Sequence, residues 1–185
     1  MGYPINIKNF CIAEYIDTAG VITYGTPVKI PELMNIDLDM PTEMAKLSGD
    51  GKTVATASSE GDITFKCGVT KVSLPTQALM LGRTFDPITG TLLTNDNDKA
   101  PYYAAGFETE NDDNTSVFTW LYKGSFKQWS EKLEQIEDGK VKYSTVTGIE
   151  ATFIPDEEGN KKIVMDESEG SAPPANFLAA VYKPV

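Results

Sequence analysis

The feature that most constrains this fold is an alternation of apolar and polar residues, interrupted by turns centred on glycine. It is clearest over residues 62–72, where Ile63, Phe65, Cys67 and Val69 alternate with mostly polar neighbours. Successive side chains of a strand point to opposite faces, so this pattern predicts a strand with one buried face and one wet face. The same reasoning predicts strands over residues 10–16, 21–24, 28–38, 102–110, 116–126 and 142–155.

Helical patterning is confined to short segments. Residues 75–81 form the best helix candidate, with Pro75 in the first turn and Gly82 as the C-terminal cap. Its predicted buried stripe consists of Leu74, Ala78 and Leu81. Two further segments stay open: residues 127–137 are either a helix, which their spacing favours, or an extended connection, and residues 177–182 are either a short helix or a closing strand.

Turn residues and composition support the prediction of one mainly β domain. The cluster at 111–114 predicts a hairpin tip, and Pro31 predicts an edge position or a bulge, because proline cannot donate to a sheet ladder. The 185 residues are 41% hydrophobic and carry no repeat or linker, which is typical of one globular domain. We therefore predict a single mainly β domain over residues 1–185, an antiparallel β-sandwich or barrel with a flanking α-helix.

Charge and composition exclude several classes of function. The formal net charge is −11, so a protein that binds DNA or RNA by reading its sequence is not expected. The chain has no histidine, which removes catalytic triads that use histidine and most zinc sites. Acidic clusters, such as the one at 96–98, lack calcium-loop spacing and indicate solvated turns. We predict no enzyme activity, no metal and no cofactor.

The two cysteines favour free thiols, and the N-terminus favours a soluble intracellular protein. Cys11 and Cys67 lie in separate apolar segments, where two buried free thiols are a commoner outcome than a disulfide. The N-terminus has no signal-peptide pattern, and no apolar run reaches the ~18 residues that span a bilayer. A protein made in the cytoplasm, with no membrane partner, is the expectation.

Five segments in a fixed order resemble the major tail proteins of long-tailed bacteriophages. They are YGTPV at 24–28, TASSEGDI at 56–63, PYYAAGFE at 101–108, WLYKGSF at 120–126 and GIEATFIP at 148–155. The resemblance runs from about residue 7 to residue 184. Residues 127–137 depart from it, because their pattern is more helical than the extended connection of the family.

The resemblance implies a structural virion protein that forms hexameric rings, which stack into the phage tail tube. The implied partners are further copies of the chain, a tape-measure protein, tail tip and tail terminator proteins, and double-stranded DNA that passes through the lumen without specific binding. The implied location is the virion tail, after assembly in the host cytoplasm. Six copies carry 6 × −11 = −66 charges, so we expect an acidic lumen that repels DNA.

The segment at about 41–61 is polar, rich in glycine, serine and threonine, and has Gly49-Asp50-Gly51 at its predicted tip, so we expect a long loop or hairpin excursion outside the subunit core. In the family that the chain resembles, the corresponding loop joins stacked rings, so the resemblance implies that this excursion contacts the next ring. The inter-ring contact candidates are Ser48, Gly49, Asp50, Gly51, Lys52, Ser58, Ser59 and Glu60, and the core or interface aromatics are Phe65, Tyr102, Phe107, Trp120 and Tyr122. The alternative is a β-sandwich binding or adhesion module on a virion or cell surface. Such a module would expose an aromatic patch, for which Tyr102, Tyr103, Trp120 and Trp129 are the candidates.

Overall fold

A computed structural model describes residues 2–131, 133, 135, 139, 143–170 and 176–184. The strands are β1 Pro4–Thr18, β2 Val21–Tyr24, β3 Val28–Lys29, β4 Leu33–Asp39, β5 Thr42–Gly49, β6 Lys52–Glu60, β7 Ile63–Val69, β8 Thr84–Asp86, β9 Thr91–Leu93, β10 Tyr102–Asn111, β11 Ser116–Phe126, β12 Val146–Ile154 and β13 Lys162–Asp166. The helix, α1, spans Leu74–Leu81. The predicted fold class, mainly β with antiparallel sheets and a flanking helix, is confirmed.

Nine strands of the described chain form one antiparallel sheet, in the order β2-β1-β10-β11-β12-β7-β4. The two strands off this path are β13, which pairs with the first half of β11, and β3, which pairs with β1. The sheet folds on itself, since Phe10 of β1 stacks on Phe65 of β7 with 5.5 Å between ring centroids. This folding encloses the main core and leaves β4 at one end of the strand order.

The enclosed core is built from the apolar side of each alternating strand. On β7 the residues Ile63, Phe65, Cys67 and Val69 are all buried, as the alternation predicted. Phe65 contacts the rings of Phe126 and Phe153 edge-on, at centroid distances of 6.5 and 6.0 Å. Offset and edge-to-face ring pairs of this kind add to the free energy gained by burial alone.

A second cluster lies on the other face of β1, β10 and β11. Trp120 and Tyr122 are buried there under residues 176–184, whose Phe177 is 4% exposed. The Trp120 indole N–H donates to the Phe177 carbonyl at 2.9 Å. Opposite Trp120 stands Gly106, where an added Cβ would lie 2.8 Å from the indole ring, so the tryptophan fits only against glycine.

Three secondary-structure predictions need correction. Residues 28–38 form two strands, because Pro31 donates no hydrogen bond and Glu32, with φ of 61°, bends the chain; β3 and β4 then pair with different partners. The strand predicted over 142–155 begins at Val146. Residues 177–182 form neither a helix nor a strand; they begin in a turn and cover the outer face of the sheet. Their conformation is fixed because the carbonyls of Phe177 and Tyr182 accept hydrogen bonds from the side chains of Trp120 and Tyr122.

The helix is confirmed, but its buried stripe is not the predicted one. Ser73 caps the N-terminus and Gly82 the C-terminus of α1. Leu74, the first residue of the helix, is 42% exposed because it lines an open groove. Met80 is buried with Ala78 and Leu81 instead. Of the segment 127–137, residues 127–131 belong to no helix or strand, and most of the remainder lies outside the described residues.

Candidate assembly surface

Strands β5 and β6 form a hairpin that is a sheet of its own. They pair in antiparallel register from Thr42 opposite Glu60 to Gly49 opposite Lys52, and within the described residues neither joins another sheet. Asp50 and Gly51 form the tip, and both have positive φ, at 49° and 74°. A two-residue turn of this kind matches the right-handed twist of the flanking strands, and Asp-Gly is among its preferred sequences.

Both faces of the hairpin are exposed. Every residue of β6 is exposed, and so are residues 42–48 of β5. The exposed fractions of Met44, Leu47 and Val54 are 65%, 65% and 68%. Two isolated strands are marginally stable in water, and stable hairpins pack on a further strand or helix. This hairpin therefore has the properties of a surface that another molecule covers.

The base of the hairpin is held by backbone contacts. The Gly61 N–H donates to the Pro41 carbonyl at 2.8 Å, which closes the base. The Lys161 ammonium, from the turn between β12 and β13, donates to the carbonyls of Gly61 and Glu60 at 2.9 and 3.3 Å. These contacts fix where the hairpin leaves the domain, and in the described part of the chain its outer half has no partner outside the hairpin.

Strand β4, which leads into the hairpin, forms an open edge. It pairs with β7 on one side, and no other described strand pairs with it. Its exposed apolar residues are Met34 and Leu38, at 51% and 36%. Edge strands present unpaired N–H and C=O groups to which another chain can add a strand. Only two residues of the chain separate the open edge from the hairpin.

The predicted inter-ring residues fall into two groups at opposite ends of the hairpin. Residues 48–52 surround the tip, whereas Ser58, Ser59 and Glu60 pair with Met44, Glu43 and Thr42 at the base. Ser58 is five positions along the strand from Thr53, which pairs with Ser48 at the tip, so the groups are ~17 Å apart at the usual rise of a strand. The structure thus does not bring all of them together.

Most of the predicted aromatic residues lie in the core. Phe65, Phe107, Trp120 and Tyr122 are buried. Tyr102 is not a core residue; it is the first residue of β10 and 42% exposed, with the Lys123 ammonium 5.4 Å from its ring centroid. Of the patch considered for an adhesion module, Tyr103, Trp120 and Trp129 are buried, which leaves Tyr102 alone at the surface.

The buried charged groups of the described chain are committed to structural contacts. The Glu108 carboxylate accepts from Asn9 at 2.6 Å and from Ser116 at 2.7 Å, and it pairs with Lys8 at 3.3 Å. Burial alone would raise the pKa of Glu108, but these hydrogen bonds outweigh it and hold the pKa below its usual value. Such a carboxylate is an anchor between β1, β10 and β11.

Asp156, in the turn after β12, is the second buried carboxylate. It accepts from the backbone N–H groups of Asn160 and Glu158 at 2.8 and 3.0 Å and forms an ion pair with Lys183 at 2.7 Å. Burial opposes ionisation, yet the hydrogen bonds of Lys183 and the backbone hold the pKa of Asp156 below its usual value. The ion pair fastens residues 176–184 to the sheet.

The two thiols have no reactive character in this fold. Cys11 and Cys67 are both buried and free, as the sequence predicted. Cys11 lies in the second cluster, under residues 176–184, and Cys67 lies in the enclosed core. Burial raises the pKa of each thiol to about 12, so almost no thiolate exists near neutral pH.

Sequence reasoning missed the exposed apolar residues of the hairpin, Met44, Leu47 and Val54. A usable signal was present, because Asp50-Gly51 is flanked by two alternating segments, the strongest short-range indication of a hairpin. The alternation of apolar and polar residues does not show whether another segment covers either face of the hairpin. The open edge of β4 was signalled only by Pro31.

Comparison with protein-family models gives no match for this chain, and comparison with curated proteins gives none either. Among the described residues, no helix has the length and apolar character needed to cross a membrane. No group of three or more potential metal-ligating side chains occurs in that part of the chain.

Proposed function

We propose that this protein is a tail tube protein, which assembles into hexameric rings that stack to form the conduit for phage DNA. The observation that carries the proposal is the β5–β6 hairpin, whose two faces are exposed and whose apolar residues have no partner in the described chain. A hairpin of this kind is stable when a second molecule covers it. The ordered sequence segments that resemble major tail proteins indicate that the second molecule is another copy.

Two sets of contacts between copies follow from this proposal. Within a ring, the open edge of β4 pairs with an edge strand of the neighbour, which removes the exposed edges of the isolated domain. Between rings, the hairpin reaches the next layer. The ring, the tape-measure protein inside it, and the tip and terminator proteins at its ends together make up the proposed virion tail.

The charge of the subunit fits a conduit for DNA. A wall rich in cations would release counterions from DNA and bind it tightly, whereas a net charge of −11 per subunit favours weak repulsion that is independent of sequence. We propose that DNA passes through the lumen without specific contacts. The protein has no role as a catalyst in this proposal.

An adhesion module is the less supported alternative. It requires a contiguous aromatic patch at the surface, and three of the four candidate residues, Tyr103, Trp120 and Trp129, are buried. The exposed apolar residues of the hairpin lie on a two-stranded sheet instead, which is suited to strand or layer contacts between copies.

The test is assembly of the purified chain, followed by a concentration series in analytical ultracentrifugation and by negative-stain microscopy. We expect rings with six-fold symmetry and tubes at high concentration. The variant Met34→Lys places a charge at the β4 edge and should remain monomeric where wild type assembles. Ile88→Lys is the matched control, because Ile88 is 94% exposed in the turn between β8 and β9. A wild-type chain that stays monomeric, even with tail-tip complexes added as nuclei, would contradict the proposal.

A further inference from the structure

An apolar groove lies where β7 ends and α1 begins. Its volume is about 860 Å³, and its apolar lining includes Val72, Leu74, Phe85 and Leu92. Leu74, which the helix pattern predicted to be buried, is 42% exposed here. Two oppositely charged side chains, Lys71 and Glu131, also line the groove. The groove thus offers an apolar floor together with one cation and one anion.

The groove and the hairpin lie at opposite ends of the same strand. Ile63, the first residue of β7, follows the hairpin after two residues, and Val69, the last residue, leads into the groove at Thr70. The seven residues of β7 separate the two by ~23 Å at the usual rise of a strand. When copies are stacked along this strand, the hairpin end of one copy therefore meets the groove end of the next.

The hairpin tip has the chemistry that fits the groove. Leu47 and Val54 flank the turn and are about two-thirds exposed. Asp50 and Lys52, at the turn itself, supply one anion and one cation. The tip and the groove therefore both expose apolar side chains. Each also carries one cation and one anion, so two pairs of opposite charges can form between them.

We infer that the tip of the β5–β6 hairpin of one copy docks in the groove beside α1 of the next copy, with Asp50 facing Lys71 and Lys52 facing Glu131. This inference rests on the proposed function and assigns the acceptor of the inter-ring contact. Donor and acceptor are different surfaces, so the contact is head-to-tail and repeats without closing. One such contact for each subunit adds rings in a single direction and gives the tube its polarity.

Cross-linking tests the contact directly. A variant with Val54→Cys and Leu74→Cys is assembled and treated with a short bismaleimide; the native thiols are buried and stay unreacted. We expect ladders of many linked subunits, because each copy carries both halves of the contact. The control pairs Val54→Cys with Val164→Cys, on β13 and 50% exposed, and should give no ladder.

The outcomes separate the two proposals. Tubes without a ladder, or equal ladders in the control, overturn the docking site and leave the tube function intact. A chain that forms no polymer overturns both.

Charge reversal supplies an independent measurement. We expect Lys52→Glu and Glu131→Lys each to reduce the mass of sedimenting tubes about tenfold, and the double variant to restore it, because the pair is then re-formed with opposite sign. Rings should persist in all three variants. Single reversals that leave tube mass unchanged, or a double variant that remains as defective as the singles, would overturn the pairing.

Discussion

Strands β6 and β7 are consecutive in the chain and separated by two residues, yet their surroundings are opposite. Both follow an extended path, and β7 buries Ile63, Phe65 and Val69 completely. Strand β6 exposes all of its residues, including Val54 at 68%. The difference comes from the neighbouring strands. Strand β7 is paired on both sides and covered by the folded sheet, whereas among the described residues β6 is paired with β5 alone. Alternation sets which side chains share a face, and pairing decides whether that face is covered.

In our proposal the two strands therefore stabilise different states of the protein, the free subunit and the assembled tube. The apolar side chains of β7 leave water when the subunit folds, and each contributes to the stability of the free subunit. The apolar side chains of β6 leave water only when another molecule covers the hairpin. Substitutions in the two strands should accordingly affect different measurements, which the following predictions use in order of their expected effect on the stability of the subunit.

The largest effect is expected from the centre of the core. Phe65→Ala removes a ring that contacts Phe10, Phe126 and Phe153, and it should lower the free energy of unfolding by about 3–5 kcal/mol. Chemical denaturation of the monomer measures this value. Leu47→Ala on the hairpin is the control and should change it by less than about 0.5 kcal/mol. Equal losses in the two variants would show that the hairpin is packed in the free subunit.

An intermediate loss of stability is expected from the outer face of β11. Residues 176–184 cover this face, and the ion pair between Asp156 and Lys183 holds them on the sheet. Lys183→Met leaves the buried carboxylate without its cation and should cost about 1–3 kcal/mol near neutral pH. The pKa of Asp156 is lowered in the folded state, so its contribution is present above the unfolded pKa of ~3.9 and is lost as pH falls through the folded value.

Chemical denaturation of wild type and Lys183→Met between pH 7 and pH 2 measures the difference in their free energies of unfolding. The two curves should converge as the solution becomes acidic. A difference that is constant over this range would assign the loss to packing of the lysine stem and not to the ion pair.

The sequence predicted much of the fold because strand alternation and cap residues are local signals. The seven predicted strand segments all contain strands, and α1 lies where Pro75 and Gly82 placed it. What it did not predict depends on distant partners. The exposure of Leu74, the path of residues 176–184 and the bare faces of the hairpin follow from which other segments cover them, and this information is spread over the whole chain.

The candidate site was predictable in position but not in character. Its location at 41–61 came from the polar composition of that segment, its contact with the next ring came from the resemblance, and Asp50-Gly51 marks the turn by its own chemistry. The open edge of β4 exists because Pro31 and Glu32 turn the chain away from β1 and direct it to β7. No local pattern identifies the strand that would complete such an edge, since that strand belongs to another copy in our proposal.

Shortening the hairpin should separate folding from assembly. Removal of residues 44–47 and 55–58 deletes four facing pairs and keeps the turn, the base and the pleat of the remaining strands. We expect the free energy of unfolding to change by less than about 0.5 kcal/mol, because the removed side chains are exposed. Rings should form and long tubes should not, as seen by negative-stain microscopy. Tubes of normal length would remove the hairpin from the stacking contact.

The smallest effect on stability, and the most direct view of the contrast between β6 and β7, is expected from thiol labelling of Ala55→Cys. Ala55 is exposed on β6, whereas Cys67 on β7 is 3% exposed and burial raises its thiol pKa to about 12. In the free subunit, a maleimide should modify the A55C thiol at least about a hundredfold faster than the native thiols, which react only after unfolding. Cys67 thus serves as an internal reference for the folded state.

In assembled tubes the A55C thiol should react slowly with the maleimide while the reference is unchanged, because the neighbouring ring covers the hairpin. A thiol that stays equally reactive in tubes verified by microscopy would show that the hairpin remains in solvent after assembly, and the contrast between the two strands would then have no role in stacking.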